Sequence, residues 1–216
     1  MASGTEEVAI RVAYARPCDV IRQLGTGTLD EAERACADRI TDRVRRQHFN
    51  AGRALLRHRL SCVVEHAVRP ASWRMAEGLH GKPSIAPGLP QVHFNISHAD
   101  GLVTVATSPA APIGIDMERV TGTQDTSPAL DQLTDREQAW LNQHGEADRW
   151  PGLLQLWTAK EAVTKATGLG CSVDFNDVEV DVSAGRARCP VGLLDGRDAR
   201  LACWTLVITW TLICAR

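Results

Sequence analysis

Ile113-Gly114-Ile115-Asp116-Met117-Glu118 alternates apolar and acidic side chains, and its reading organises the rest of the chain. In a β-strand successive side chains leave opposite faces, so Ile113, Ile115 and Met117 share one face while Asp116 and Glu118 project together from the other. Two carboxylates on one surface repel, and a partly buried pair is costly unless a cation or a proton neutralises it. The pair therefore reads either as a solvated strand face or as half of a site for Mg²⁺, which prefers hard oxygen ligands alongside water and phosphates.

Working outward, Pro109 to Pro112 forms a natural joint in front of this strand. Before the joint, Val92–His98 and Leu102–Thr107 read as strands joined by Ala99-Asp100-Gly101, a hairpin signal. Gly78 to Pro90, punctuated by Gly and Pro, reads as loop. Val8–Ala15 is a first strand ended by Pro17, and Leu29–Arg39 a short helix with Thr28 as its N-cap. Arg43–Val64 is a longer helix, in which Phe49, Leu56, Leu60 and Val63 make one apolar stripe. After the joint, Gly122–Pro128 is polar loop. Thr134 to Asn142 opens on a capping-box pattern, and Leu153–Thr167 is a second long helix closed by Gly168. From Val173 the chain is strand-and-turn material, and Leu201 to Cys214 reads as a terminal strand. Helices followed by strands on each side of the joint predict an α+β protein of two related lobes, 1–110 and 111–216, each a small antiparallel sheet packed with a long helix.

Composition bounds the function. A chain of 216 residues, 44% hydrophobic and 23% charged, can bury a proper core. Its net charge of −2 argues against a general nucleic-acid binder. Charge is uneven, with Arg43, Arg45, Arg46, Arg53, Arg57 and Arg59 crowded into one helix beside His48 and His58. Seven scattered cysteines without a CxxC pair fit reduced thiols of a cytoplasmic protein better than a disulfide framework. The opening residues lack an apolar signal region, and Leu201–Cys214 is too short for a membrane helix.

On the second long helix Trp157, Glu161 and Lys165 follow at steps of four and share a face. Glu161 and Lys165 make a surface ion pair or, taken with Asp116 and Glu118, add the third carboxylate and the cation of a Mg²⁺–phosphate site. Phe94-Asn95-Ile96-Ser97-His98 ends a strand with polar groups suited to phosphate. Ser97 and His98 leave opposite faces, so Ser97 is poorly placed to be a nucleophile activated by His98. Gly81-Lys82-Pro83 offers an exposed lysine on a stiff loop, without the glycines and Ser/Thr of a P-loop.

Taken along the chain, Gly81-Lys82-Pro83, Phe94–His98, Gly114–Glu118 and Trp157–Lys165 resemble, in that order, the motifs of the 4′-phosphopantetheinyl transferase superfamily, in its Sfp-like branch, and Gly52-Arg53 with Arg57 is similar to the family's GR-x-x-x-R stretch. The resemblance covers nearly the whole chain. It implies two lobes related by a pseudo-twofold, with coenzyme A and Mg²⁺ in the cleft between them. The N-terminal lobe would carry most of the coenzyme A contacts and the C-terminal lobe the carboxylates. The implied reaction is the holo-[acyl-carrier-protein] synthase type: transfer of the 4′-phosphopantetheine arm to a serine of an acyl- or peptidyl-carrier protein of polyketide, non-ribosomal peptide or fatty-acid synthesis. In these roles Asp116, Glu118 and Glu161 hold the metal, Glu161 is the base and Lys165 meets the leaving phosphate oxygen. Arg46, Arg53, Lys82, Ser97 and His98 bind coenzyme A, with His98 and the arginines near its 3′-phosphate. The protein is expected to act as a monomer, without membrane or nucleic acid. Two other readings use the same carboxylates or the same surface: a Mg²⁺-dependent nuclease or phosphohydrolase, and a non-catalytic carrier-binding homologue.

Overall fold

In the computed structural model, residues 10–78, 81–99, 101–120, 127–169, 172–189, 198–205 and 208–215 are described. The first half runs β1 (Arg11–Ala15), α1 (Pro17–Leu24), α2 (Glu31–Arg39), α3 (Arg43–Val63), a 3-10 turn at Pro70–Ser72, then β2 (Met75–Glu77), β3 (Pro83–Ile85), β4 (His93–Ala99) and β5 (Leu102–Ser108). The second half runs β6 (Ile113–Arg119), α4 (Ser127–Leu130), α5 (Asp135–Leu141), α6 (Glu146–Thr167), a 3-10 turn at Phe175–Asp177, then β7 (Glu179–Asp181), β8 (Arg186–Arg188), β9 (Asp198–Thr205) and β10 (Ile208–Ala215). This is an α+β fold, and the order of element types in the second half repeats that of the first.

Strand pairing is alike in part in the two halves. The order β1-β5-β4 makes a three-stranded sheet, β2 and β3 make a separate pair, and β6-β10-β9-β8-β7 make a five-stranded sheet. In each half the first strand pairs antiparallel with the last, Tyr14 opposite Thr104 and Asp116 opposite Thr211. One core packs Leu56, Leu60, Trp73, Phe94 and Val103, and another packs Leu141, Leu153, Leu156, Val163 and Val178. Ile113, Ile115 and Met117 are buried together with Ala106 of β5, as the alternation of β6 predicts.

A buried cation in each long helix ties the short capped helix to the following 3-10 turn. Asp30 and Glu33 form a capping box at the start of α2, and both bind the fully buried Arg57 at 2.7 Å. Arg57 also donates to the carbonyls of Pro70 and Trp73. Thr134 and Glu137 form the capping box of α5, and Glu137 binds the fully buried Lys160 at 2.8 Å. Lys160 donates in turn to the carbonyls of Phe175 and Val178. Each cation is the fifteenth residue of its helix. Buried charges of this kind are tolerated because every one is paired and hydrogen-bonded.

Several local expectations change. Asp30, not Thr28, caps α2, because its side chain reaches the Glu33 N–H while Glu33 reaches back. Pro17 ends β1 and also opens α1, where a residue without an N–H costs nothing. Helix α6 begins at Glu146 and passes through Pro151, early enough that one missing backbone bond is absorbed. Within the expected loop, Pro83–Ile85 pairs with Met75–Glu77, with proline at the first strand position, where its missing N–H is tolerated. The expected terminal strand is two strands, β9 and β10, paired antiparallel. Asp100 of the hairpin turn and residues 122–126 of the polar loop lie outside the described residues. Among the described residues no helix is long and apolar enough to cross a membrane, and Cys18, Cys36 and Cys62 are free thiols.

Gly114 sets the distance between β6 and α6. A Cβ there would stand 1.9 Å from the Ala162 carbonyl oxygen and 2.7 Å from the Ala166 nitrogen, both helix backbone that cannot step aside. Gly114→Ala is expected to cost about 3 kcal/mol or more, since overpacking against rigid backbone has no cheap relaxation. Urea denaturation measures it, and a loss below about 1 kcal/mol would mean the helix can move away.

Candidate active site

The contact at Gly114 places three functional side chains. Asp116 follows it by two residues on the same face of β6, and Glu161 and Lys165 each precede one of the two alanines that meet the glycine. Lys165 Nζ lies 2.5 Å from Asp116 Oδ1 and 3.9 Å from Glu161 Oε2. Ser97, from β4, donates its hydroxyl to the same Asp116 oxygen at 3.0 Å. The other oxygen, Asp116 Oδ2, is buried and has no hydrogen-bond partner.

The electrostatics show a surplus of negative charge. Burial raises the Glu118 carboxyl above the ordinary range; the Asp116 and Glu161 charges push the same way, and Lys165 opposes them. Burial also raises Glu161, with Lys165 opposing and Asp116 adding to the effect. Asp116, Glu118 and Glu161 thus share one electrostatic neighbourhood with a single lysine inside it. A hard divalent cation would answer both the surplus and the partnerless Asp116 oxygen. Among the described residues, no three acidic, histidine or cysteine groups converge closely enough to hold an ion as they stand.

A groove of about 300 Å³ adjoins this cluster, between α3, β4 and the Lys82-Pro83 segment. Arg45, His48, Arg53, Lys82, Asn95 and His98 are its polar lining. The His48 and His98 rings are 5.2 Å apart, and Arg53 lies 5.3 Å over the Phe49 ring. Arg53 Nη1 is buried without a partner, and burial lowers the guanidinium's proton affinity despite Glu33 nearby. Desolvation lowers the pKa of His98, and the positive charge of His48, Lys165 and Arg45 lowers it further against Asp116. Because His98 senses both Lys165 and Asp116, the cationic groove and the carboxylate cluster are neighbours.

Two expected ligand residues stand differently from the sequence reading. Arg46 does not line this groove; it borders a separate hollow with Ile21, Arg43, Gln47 and Asn50, and Arg45 takes the groove position. One residue along a helix turns the side chain by about 100°, which is the whole difference. Lys82 is half-buried rather than exposed: its Nζ donates to the carbonyls of Lys165 at 2.5 Å, Ala166 at 3.3 Å and Ile113 at 3.4 Å. Burial pulls its pKa down to about 8. Lys82 also borders a second, mainly apolar cavity of about 510 Å³ lined by Val92, Phe94, Pro112 and Leu169. Arg57 of the GR-x-x-x-R stretch is wholly buried in its ion pairs. Ser97 faces Asp116 while His98 faces the groove, in keeping with their opposite strand faces. Arg45 and His48 went unassigned in the sequence, although with Gly52 and Arg53 they follow the three-and-four spacing of one helix face.

Residues 112–208 match the model of the 4′-phosphopantetheinyl transferase superfamily. The 4′-phosphopantetheinyl transferase HetI of Nostoc sp. is 31% identical over 173 residues, covering 79% of this chain and 71% of that protein. The 4′-phosphopantetheinyl transferase gsp of Aneurinibacillus migulanus is 34% identical over 102 residues, 47% of this chain and 41% of the relative. Sfp of Bacillus subtilis is 32% identical over 106 residues, 47% of this chain and 44% of the relative. The matched part of the chain thus spans less than half the length of the last two relatives.

The raised Glu161 pKa has a stability consequence. An unfolded glutamate titrates near about 4.3. A folded value above that means the ionised carboxylate costs stability, and the cost grows as pH rises through the folded pKa. Glu161→Gln in metal-free buffer is therefore expected to raise the thermal midpoint at about pH 8 and to change it little at about pH 4. Equal shifts at both pH values would show that the carboxylate carries no such penalty.

Proposed function

The chain belongs to the 4′-phosphopantetheinyl transferase superfamily, and from that premise we propose that it transfers the 4′-phosphopantetheine arm of coenzyme A to a serine of a carrier protein, with Mg²⁺. The observation that carries this reading is the adjacency of the two sites. A groove holding a partnerless arginine nitrogen suits a phosphate, and a carboxylate cluster with a partnerless oxygen suits a divalent cation beside it.

In this mechanism Arg45, Arg53 and His98 bind the 3′-phosphate of coenzyme A, and Lys82 and Ser97 border the rest of the nucleotide. Arg45 takes the role that the family resemblance implied for Arg46. Asp116, Glu118 and Glu161 are the residues that would hold Mg²⁺, which when bound offsets the pyrophosphate charge and stabilises the departing bisphosphate. Glu161 accepts the proton of the carrier serine, a task favoured by its raised pKa. The serine oxygen bonds to the phosphorus that carries the pantetheine arm, and the bond to adenosine 3′,5′-bisphosphate breaks. Lys165 meets the negative charge that develops on the departing oxygen. Its bond to Asp116 keeps it beside the carboxylates, which supports that role.

The same proposal extends to architecture and setting. We read residues 1–110 and 111–216 as lobes related by a pseudo-twofold; the repeated element order, the partly alike strand pairing and the matching Arg57 and Lys160 latches support it. One chain then supplies both walls of the cleft, as an Sfp-type monomer does. The free thiols of Cys18, Cys36 and Cys62 fit a cytoplasmic setting. The carrier partner belongs to polyketide, non-ribosomal peptide or fatty-acid synthesis.

Mixing the protein with coenzyme A, Mg²⁺ and a panel of apo-carriers should add one phosphopantetheine to a carrier serine by mass spectrometry; no gain on any carrier would sink the reading. Glu161→Gln should lower kcat by about 10²–10⁴-fold, and near-normal turnover would remove it as base. Arg45→Ala should raise the KM for coenzyme A about tenfold or more, the scale of one lost charged hydrogen bond, with Arg46→Ala close to wild type. The reverse ranking would restore Arg46 to the site.

A further inference from the structure

The free edge of β6 is held by side chains instead of a neighbouring strand. β6 pairs with β10 on one side. On the other, the Ile115 N–H donates to Asn95 Oδ1 at 2.9 Å. Two residues further along β4, on the same face as Asn95, Ser97 bonds Asp116. The Ile113 carbonyl on this edge accepts from Lys82. β4 is itself the edge of the three-stranded sheet, so two sheet edges meet here without forming a ladder. Ile115 is fully buried, so its amide has no water to turn to if Asn95 is removed.

We propose that Asn95 is a positioning residue for the transfer reaction: its side-chain amide stands in for a strand and fixes where β6 lies along β4, and so where Asp116 lies beneath Ser97 and Lys165. Three features favour positioning over a purely structural bond. The bond is made at the residue immediately before Asp116. It crosses from the sheet that lines the groove to the strand that carries the carboxylates. Ser97 adds a second bond across the same gap, this one donated from β4 to β6, so the two bonds act as successive rungs. An acceptor on a short stem is needed there, which an aliphatic side chain of the same size lacks.

The proposal rests on the transferase reading for its kinetic part alone. Hydrogen exchange of the full chain tests it independently. The Ile115 amide should exchange slowly in the wild type, about tenfold or more faster in Asn95→Leu, and near the wild-type rate in Asn95→Asp, which keeps an acceptor. Fast exchange of Ile115 in the wild type would overturn the proposal even if no variant folds. In the carrier assay Asn95→Leu should lower kcat about tenfold or more, the scale of a displaced reacting group, while coenzyme A affinity by calorimetry stays within about twofold. A loss confined to coenzyme A affinity would make Asn95 a coenzyme A ligand and not a positioning residue, and unchanged Ile115 exchange in the leucine variant would remove the bond; either overturns the proposal. If the wild type modifies no carrier while the exchange results hold, the transferase reading fails and the register lock stands.

Discussion

The approach of β6 to α6 at Gly114 is the constraint on which the site depends. Strand and helix backbones pack at ordinary distances when side chains separate them, and here nothing does. The helix presents alanines at 162 and 166 and the strand presents a hydrogen, so the carbonyl of Ala162 lies where a Cβ would be. That closeness is what lets short Asp116 reach Lys165 across the gap. A wider spacing would demand a longer acid, with more freedom to lose on being fixed. The glycine's function is thus exercised two residues away, by the aspartate it brings within reach.

Around this contact, buried charge ties the long helices to their neighbours. Arg57 gathers both acids of a capping box and Lys160 one, and each adds two carbonyls at a 3-10 turn. Either cation without its acid would be a strongly destabilising isolated charge. Such a latch specifies geometry, because its partners must come to one point. In the second half, Lys160 is the neighbour of Glu161, so the latch that anchors α6 from its buried side sets the axial position of the residue proposed as base. Lys82 works on the same helix from its C-terminal end, donating to the carbonyls of its last turn where a cation is favoured.

The period-two and period-four spacings made part of this legible in the sequence. The alternation through Ile113 to Glu118 correctly assigned buried and acidic faces, and Glu161 with Lys165 fell on one helix face. Their meeting with Asp116 depended on matching motifs, since local spacing carries no information about which strand a helix will meet. Arg45 and Arg46 could not be told apart, because a one-residue error of alignment rotates the side chain off the groove. Lys82 looked exposed because Gly and Pro flank it. Its partners are carbonyls of residues more than eighty positions later, and backbone acceptors leave no trace in a sequence. Pro151 hid the start of α6 for a related reason: propensity is local, and packing on α5 overrides it. Asn95 was visible as a residue but not as a bond.

The electrostatic arrangement joins these parts. Glu118 and Glu161 are held above their ordinary pKa while His98, a few side chains away, is held below its own. Burial is the leading cause in all three, so charge of either sign is costly at these positions without a partner. A cation among the carboxylates lowers the cost of ionising them, and an anion in the groove lowers the cost of protonating His98. Each ligand therefore improves the surroundings for the groups that bind it. Because Asp116 and Lys165 act on both Glu161 and His98, the coupling runs between the two sites as well, and it must be reciprocal. A cation at the carboxylates together with a phosphate in the groove satisfies both at once, which neither a lone metal ion nor a lone phosphate can do.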